Sequence, residues 1–215
     1  DAQKWHSKWH SRSLPTILFR GKDMADDKKA FDEDKVKEVL RPRLVDIYKS
    51  RVEEELDIYS NTLDPFSAVL DAKLLDKTIE EWIEQVEIPR QTQKTLQNHI
   101  GEMHQEIIAT LDGWEDLGVG GVVDNINHKE KILAEIKNKW NSVNATSALG
   151  SYDGLDSKIR KHSGFTGYHV VMLPKNGRYF DKEFTPPDNK TKMRRPFRED
   201  IRTIDGKSFY KKINR

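Results

Sequence analysis

A mixed α/β fold (α+β), with a central sheet behind an N-terminal helical layer, is what this sequence predicts, and three observations predict it. Apolar residues recur at steps of three and four through most of the first half. From Gly118 onward the pattern changes to short β-branched runs punctuated by glycine and asparagine. A helical stretch and then the apolar run "GYHVVMLP" follow, so that strands, a helix and another strand alternate.

The elements follow in order. Residues 1–23, "DAQKWHSKWHSRSLPTILFRGKD", precede a natural-looking start at "MADDKK" and carry neither period, so they read as a leader or disordered arm. Its Trp5, His6, Trp9 and His10 repeat has no carboxylate at ligand spacing nearby and reads as tag-like. Between Asp34 and Ser60 the residues Val36, Val39, Leu40, Leu44, Ile47, Tyr48, Val52 and Leu56 mark helix, which Pro42 either kinks or divides in two. Asp64-Pro65 starts another helix, and "KTIEEWIEQVEIP" is expected to close at Pro89. Leu96, Ile100, Met103, Ile107 and Leu111 form a single helical face that ends at Gly113. "GVGGVVDNI" and "KILAEIKNKW", joined by "NHKE", read as a strand hairpin, and "NATSALGSYDGLDSKIRKH" as a helix weakened by Gly150 and Gly154. After the buried strand at "GYHVVMLP" comes what reads as a loop-rich basic tail. The expected organisation is an arm at 1–23, a helical region at 24–95 and an α/β core at 96–215.

Composition excludes several functions. The chain has no cysteine, which removes thiol catalysis, cysteine zinc sites and disulfides, and fits a cytoplasmic protein. No apolar run approaches the roughly 20 residues that span a bilayer, so no membrane role is expected. The net charge of +1 conceals a division. Residues 24–111 hold 20 acidic against 12 basic side chains, whereas 175–215 hold 13 basic against 6 acidic, the composition of a segment facing a polyanion.

The chemistry is carried by "GVVDNINHKEKILAEIKNKWN". In a strand, alternate residues share a face, so Glu135 and Lys137 point one way and Ile132, Ala134, Ile136 and Asn138 the other. Asp124, expected to end the preceding strand, then lies beside Glu135. Two carboxylates, with the carbonyl of Ile136, make a hard oxygen site suited to Mg²⁺, and Lys137 stands where it can orient or deprotonate a water and stabilise phosphate charge. The tripeptide alone carries little weight. Glu33-Asp34-Lys35, Asp71-Ala72-Lys73, Asp156-Ser157-Lys158 and Asp205-Gly206-Lys207 all repeat acid-any-lysine. What distinguishes Glu135-Ile136-Lys137 is its place inside an apolar strand, where unpaired buried charge costs several kcal/mol and calls for a metal or phosphate partner.

"VVD", ten residues and then "EIK", after one helix and before a helix and strand, resembles the PD-(D/E)XK nuclease superfamily, and within it the type II restriction endonucleases. The resemblance implies a sheet of restriction-endonuclease-like type, with Asp124 and Glu135 binding Mg²⁺ and Lys137 assisting the water. Val123 stands where the motif name has proline. The superfamily often adds an acid from the preceding helix, a role that falls to Glu106, or to Glu102 one turn earlier. The activity implied is cleavage of double-stranded DNA at a short palindromic site, leaving 5′-phosphate and 3′-hydroxyl ends. A homodimer in a prokaryotic cytoplasm is implied as well, with the N-terminal helices as its dimer surface. Two alternatives remain open: a repair or structure-specific nuclease of the same fold, and a non-catalytic DNA-binding or interaction protein.

DNA contacts are expected outside the metal cluster. Asn138, Lys139, Asn141 and Asn144 just past the motif suit base edges or phosphates, and Arg194, Arg195, Arg198 and Arg202 suit phosphate or guanine. His104, His128 and His169 lack the spacing of zinc or His-Asn-His nuclease ligands and read as structural.

Overall fold

The computed structural model describes residues 31–52, 63–118 and 120–214. The expected arm at 1–23 and the end of the first expected helix lie outside the described residues.

Helix α1 (Glu33–Val52) runs through Pro42 as one helix. Helix α2 (Pro65–Leu74) starts where expected: proline occupies the first turn and the Asp64 side chain accepts from the Phe66 amide at 3.0 Å. Helix α3 (Ile79–Trp82) opens with a reciprocal capping box between Thr78 and Glu81. The expected stop at Pro89 does not occur. A π-helical turn at Ile83–Glu87 leads straight into α4 (Ile88–Ala109), with Pro89 in its first turn. The wider π turn accommodates a ring that has no N–H and would otherwise crowd the preceding turn. The expected boundary at residues 95 and 96 consequently falls inside α4.

Strands β1 (Trp114–Asp116), β2 (Asn125–Asn127), β3 (Ile132–Lys139), β4 (Thr166–Leu173), β5 (Asp181–Glu183) and β6 (Ile201–Asp205) form one mixed sheet in the order β1-β2-β3-β4-β6-β5. β1, β2 and β3 pair antiparallel, β3, β4 and β6 parallel, and β5 antiparallel to β6. Helix α5 (Ala145–Lys161) crosses over from β3 to β4, and α6 (Gly206–Ile213) follows β6. The C-terminal segment read as a loop-rich tail thus supplies a central strand and a helix. Ile201 and Ile204 of β6 are fully or almost fully buried.

The sheet has two dissimilar faces. On one, Ala134, Ile136, Tyr168, Val170 and Ile204 pack with Ile108 and Leu111 near the end of α4 and with Phe209 of α6. On the other, Leu133 and Ile201 pack with Ala148, Tyr152, Leu155 and Ile159 of α5. Alternation along β3 therefore sends Glu135 and Lys137 to the α5 side. A satellite core of Ala68, Ala72 and Trp82 holds α2 to α3, with Trp82 Nε1 donating to Asp71 at 2.8 Å. Arg43 of α1 binds Glu102 and Glu106 of α4, each at 2.7 Å.

Candidate active site

Among the described residues, the run before Asp124 forms no strand where one is expected, because Gly118 and Gly120 adopt φ of +69° and +96°, a region open chiefly to glycine. Asp124 accordingly stands at the head of β2 instead of ending a strand. Its backbone N–H donates to the Ala134 carbonyl at 3.0 Å. β2 pairs with β3 only as far as Asn125 opposite Ala134, so the next β3 residue facing that side, Ile136, has no strand to bond. The Asp124 carboxylate takes its place and accepts the Ile136 N–H at 2.5 Å. A strand residue directs its N–H and C=O to the same side, so the Ile136 carbonyl faces the Asp124 side too.

Glu135 is only 8% exposed. Lys137 Nζ lies 2.6 Å from its Oε1, and Ser151 Oγ of α5 donates to the same oxygen at 3.4 Å. Burial, and then the neighbouring Glu135 charge, push the Asp124 carboxyl up to about 6 against the pull of the Ile136 N–H and Lys137. Two carboxylates are thus held in a negative field that one lysine does not neutralise. That field and the all-oxygen donor set of Asp124, Glu135 and the Ile136 carbonyl fit a hard divalent cation.

Asp124, Glu135, Ile136 and Lys137 are brought together; the helix acids are not. Arg43 Nε and Nη2 engage Glu106, and Nη1 engages Glu102, so both serve the contact between α1 and α4. Among the described residues, no group of three or more His, Cys, Asp and Glu side chains is arranged to hold a metal ion.

Asn138 and Lys139 line a cleft of about 350 Å³ with Gln97, Gly101 and Gln105 of α4 and with Ser142. Asn138 Nδ2 donates weakly to the Gln97 carbonyl at 3.4 Å. Asn141 is exposed, and Asn144 caps α5 by accepting from the Ser147 amide at 2.8 Å. The four arginines have intramolecular partners. Arg194 donates to the Thr185 carbonyl, Arg195 grips Asp153 with two bonds of 2.8 Å and reaches Asp188, Arg198 binds Asp200 and Asp156, and Arg202 binds Asp181. Arg195 and Arg198, with the Tyr152 hydroxyl donating to the Pro196 carbonyl, fasten the 186–200 segment to α5.

Two features escaped the sequence reading. Gly154, read only as a weak helix former, lies so close to the Asp124 loop that a Cβ there would stand 2.3 Å from Val122 Cγ1 and 2.9 Å from the Val122 carbonyl. His169, read as structural, is the β4 residue in register with Glu135. A histidine in an apolar strand was the available signal for the second; the first had none, since the contact is tertiary.

Sheet order, the short acid-headed β2 and the Glu-Ile-Lys face of β3 together define the class as a nuclease of restriction-endonuclease-like fold, consistent with the PD-(D/E)XK superfamily. Residues 30–214 match the family described as Eco47II restriction endonuclease, so the chain belongs to that family and is an enzyme, a restriction endonuclease of type II. It is similar to the type II restriction enzyme Eco47II of Escherichia coli, 38% identical over 186 residues that cover 85% of this chain and 77% of that one. It is also similar to the type II restriction enzyme Sau96I of Staphylococcus aureus, 26% identical over 156 residues covering 71% of this chain and 59% of that one.

Proposed function

We propose that this endonuclease hydrolyses phosphodiester bonds of double-stranded DNA at a short palindromic site with Mg²⁺ as cofactor, using Asp124, Glu135 and Lys137. The observation that carries the reading is the juxtaposition of two carboxylates and an ammonium at the open end of β3, with Asp124 raised to about 6 and Lys137 at 2.6 Å from Glu135. Asp124, Glu135 and the Ile136 carbonyl would hold the cation, which when bound would supply a Lewis acid and offset phosphate charge. Lys137 orients the attacking water and faces the charge that grows on the phosphoryl oxygens. Water oxygen forms a bond to phosphorus and releases a proton to solvent, the bond to the 3′ oxygen breaks and that oxygen takes up a proton from solvent, leaving a 5′-phosphate and a 3′-hydroxyl. Asn138 and Lys139 at the end of the same strand, and Asn141 in the turn just past it, contact the DNA.

Cutting both strands of a palindrome calls for a two-fold related pair. The surface that suits it is α2, where Phe66 and Leu74 are 79% and 74% exposed and Val69 and Leu70 lie beside them.

The test is incubation of unmethylated phage DNA with the protein and Mg²⁺, followed by sequencing of the fragment ends. Discrete fragments with one shared end sequence are expected from wild type and none from Asp124→Ala, Glu135→Ala or Lys137→Ala at retained DNA affinity. Normal cleavage by Asp124→Ala would overturn the site, and nicking confined to particular DNA structures would point to a repair enzyme.

A further inference from the structure

His169 is 2% exposed and stands in register with Glu135 on one side and Thr203 on the other. Residues in register share a face, so its side chain lies on the α5 side with Glu135, and Lys137 is its diagonal neighbour one pleat further along. The ring stacks on Phe184 with centroids 4.4 Å apart and planes 10° from parallel, which fixes its orientation.

The hydrogen bonds at its other end determine its tautomer. Thr203 Oγ1 donates to the His169 carbonyl at 3.1 Å, and that same oxygen lies 3.2 Å from His169 Nδ1. A threonine hydroxyl has a single proton, so with it committed to the carbonyl the Oγ1 can only accept from Nδ1–H. Nε2 is then a bare lone pair in the neutral ring, and it is buried with no hydrogen-bond partner among the described residues. An acceptor in that state calls for a donor. The basic side chain whose charge reaches the ring is Lys137, and burial together with that charge holds the imidazole down at about 4.

We infer that His169 is a positioning residue for cleavage, its Nε2 accepting a hydrogen bond from the Lys137 ammonium once Glu135 is engaged by a divalent cation. Lys137 is held by Glu135 at 2.6 Å. A carboxylate that turns to a cation weakens that hold, and an ammonium with three donors needs another fixed acceptor to stay aimed at the phosphate. Thr203 sets the tautomer, the tautomer exposes the lone pair, and the lone pair places the lysine. This rests on the reading of Asp124, Glu135 and Lys137 as the cleavage site.

The first test uses no catalysis. Long-range ¹H–¹⁵N spectra of the full-length, metal-free protein should show His169 as the neutral Nδ1–H tautomer. Its Nε2 resonance should move when Mg²⁺ is added to wild type but not to Lys137→Met. The second test is kinetic. His169→Phe keeps the ring and removes the acceptor, and should lower kcat about 10- to 100-fold with KM for DNA little changed. His169→Gln returns a carbonyl oxygen near Nε2 and should recover most of the loss. Thr203→Val, which frees the tautomer at constant volume, should lose kcat alongside His169→Phe and serves in its place should that variant not fold. An Nε2–H tautomer, equal losses in Phe and Gln, or wild-type kcat in Thr203→Val would overturn the inference. Unimpaired cleavage by Lys137→Met would instead overturn the site reading, while leaving the tautomer assignment intact.

Discussion

Asp124 combines a structural bond and an electrostatic cost in one side chain. It accepts the Ile136 amide that β2 is too short to reach, yet burial and Glu135 raise it to about 6. A carboxyl raised above its unfolded value stabilises the fold while protonated. That contribution is complete below about pH 4 and is lost as pH rises through about 6. Asp124→Asn keeps an acceptor for Ile136 without the charge. In metal-free protein at pH 7.5 it should therefore be more stable than wild type by about 1 to 2 kcal/mol, allowing for solvent screening at a partly exposed group. At pH 4 the difference should vanish, and denaturant titrations at the two pH values measure it. The sign reverses for metal binding, which needs the ionised form. Calorimetric Mg²⁺ affinity should weaken as pH falls below about 6 in wild type.

At the scale of elements, α5 aligns the site from both sides. Its inner surface meets Val122 through Gly154 and reaches Glu135 through Ser151, while Asp153 and Asp156 fasten it to Arg195 and Arg198. Gly154→Ala should push the loop bearing Asp124 outward and lower kcat on the order of 10²-fold, since displacements near 1 Å at reacting groups have that effect. The double variant Gly154→Ala with Val122→Ala should recover part of the activity, because it relieves the side-chain contact while the carbonyl contact persists. Equal activity of wild type and Gly154→Ala in steady-state cleavage would refute this. Removing the Asn144 cap should cost α5 about 1 kcal/mol in an Asn144→Ala thermal melt. These elements also mark what the sequence discloses. The Asp124, Glu135 and Lys137 grouping was legible because period-two alternation puts Glu135 and Lys137 on one face wherever the strand lies. The strand at "GYHVVMLP" was legible because its apolar run is bounded by glycine and proline. The α3–α4 continuity was not, because a π turn leaves no compositional mark and Pro89 reads as a stop. Nor was the fate of Glu102 and Glu106, since Arg43 reaches them from an element more than fifty residues earlier. Arg195, Arg198 and Arg202 read as free for DNA because Asp153 and Asp156 lie 42 residues from Arg195 and Arg198 and Asp181 lies 21 from Arg202, while the nearer Asp188 and Asp200 carry no periodic signal that marks them as partners.

For the whole molecule, the charge division of the sequence is redistributed by folding. Much of the arginine charge of the C-terminal segment is spent on α5 and β5, so under the proposed function attraction to DNA should fall more heavily on lysines such as Lys139. Arg195→Ala, which removes a charge already matched by Asp153 and Asp188, should leave the salt dependence of DNA affinity nearly unchanged, whereas Lys139→Ala should flatten its slope by about one ion in fluorescence anisotropy titrations. Phe66→Glu with Leu74→Glu should shift the sedimentation coefficient toward that of a single chain and abolish paired cuts in favour of nicks. The sheet itself bears on how two copies meet. Its outermost strands, Trp114–Asp116 and Asp181–Glu183, are three residues long, and the latter is exposed and charged at all three positions. Short, charged borders resist extension by another chain's backbone. If two copies pair as proposed, they should keep separate sheets and join through helices, so concentrating the protein should add no intermolecular β band to its infrared spectrum.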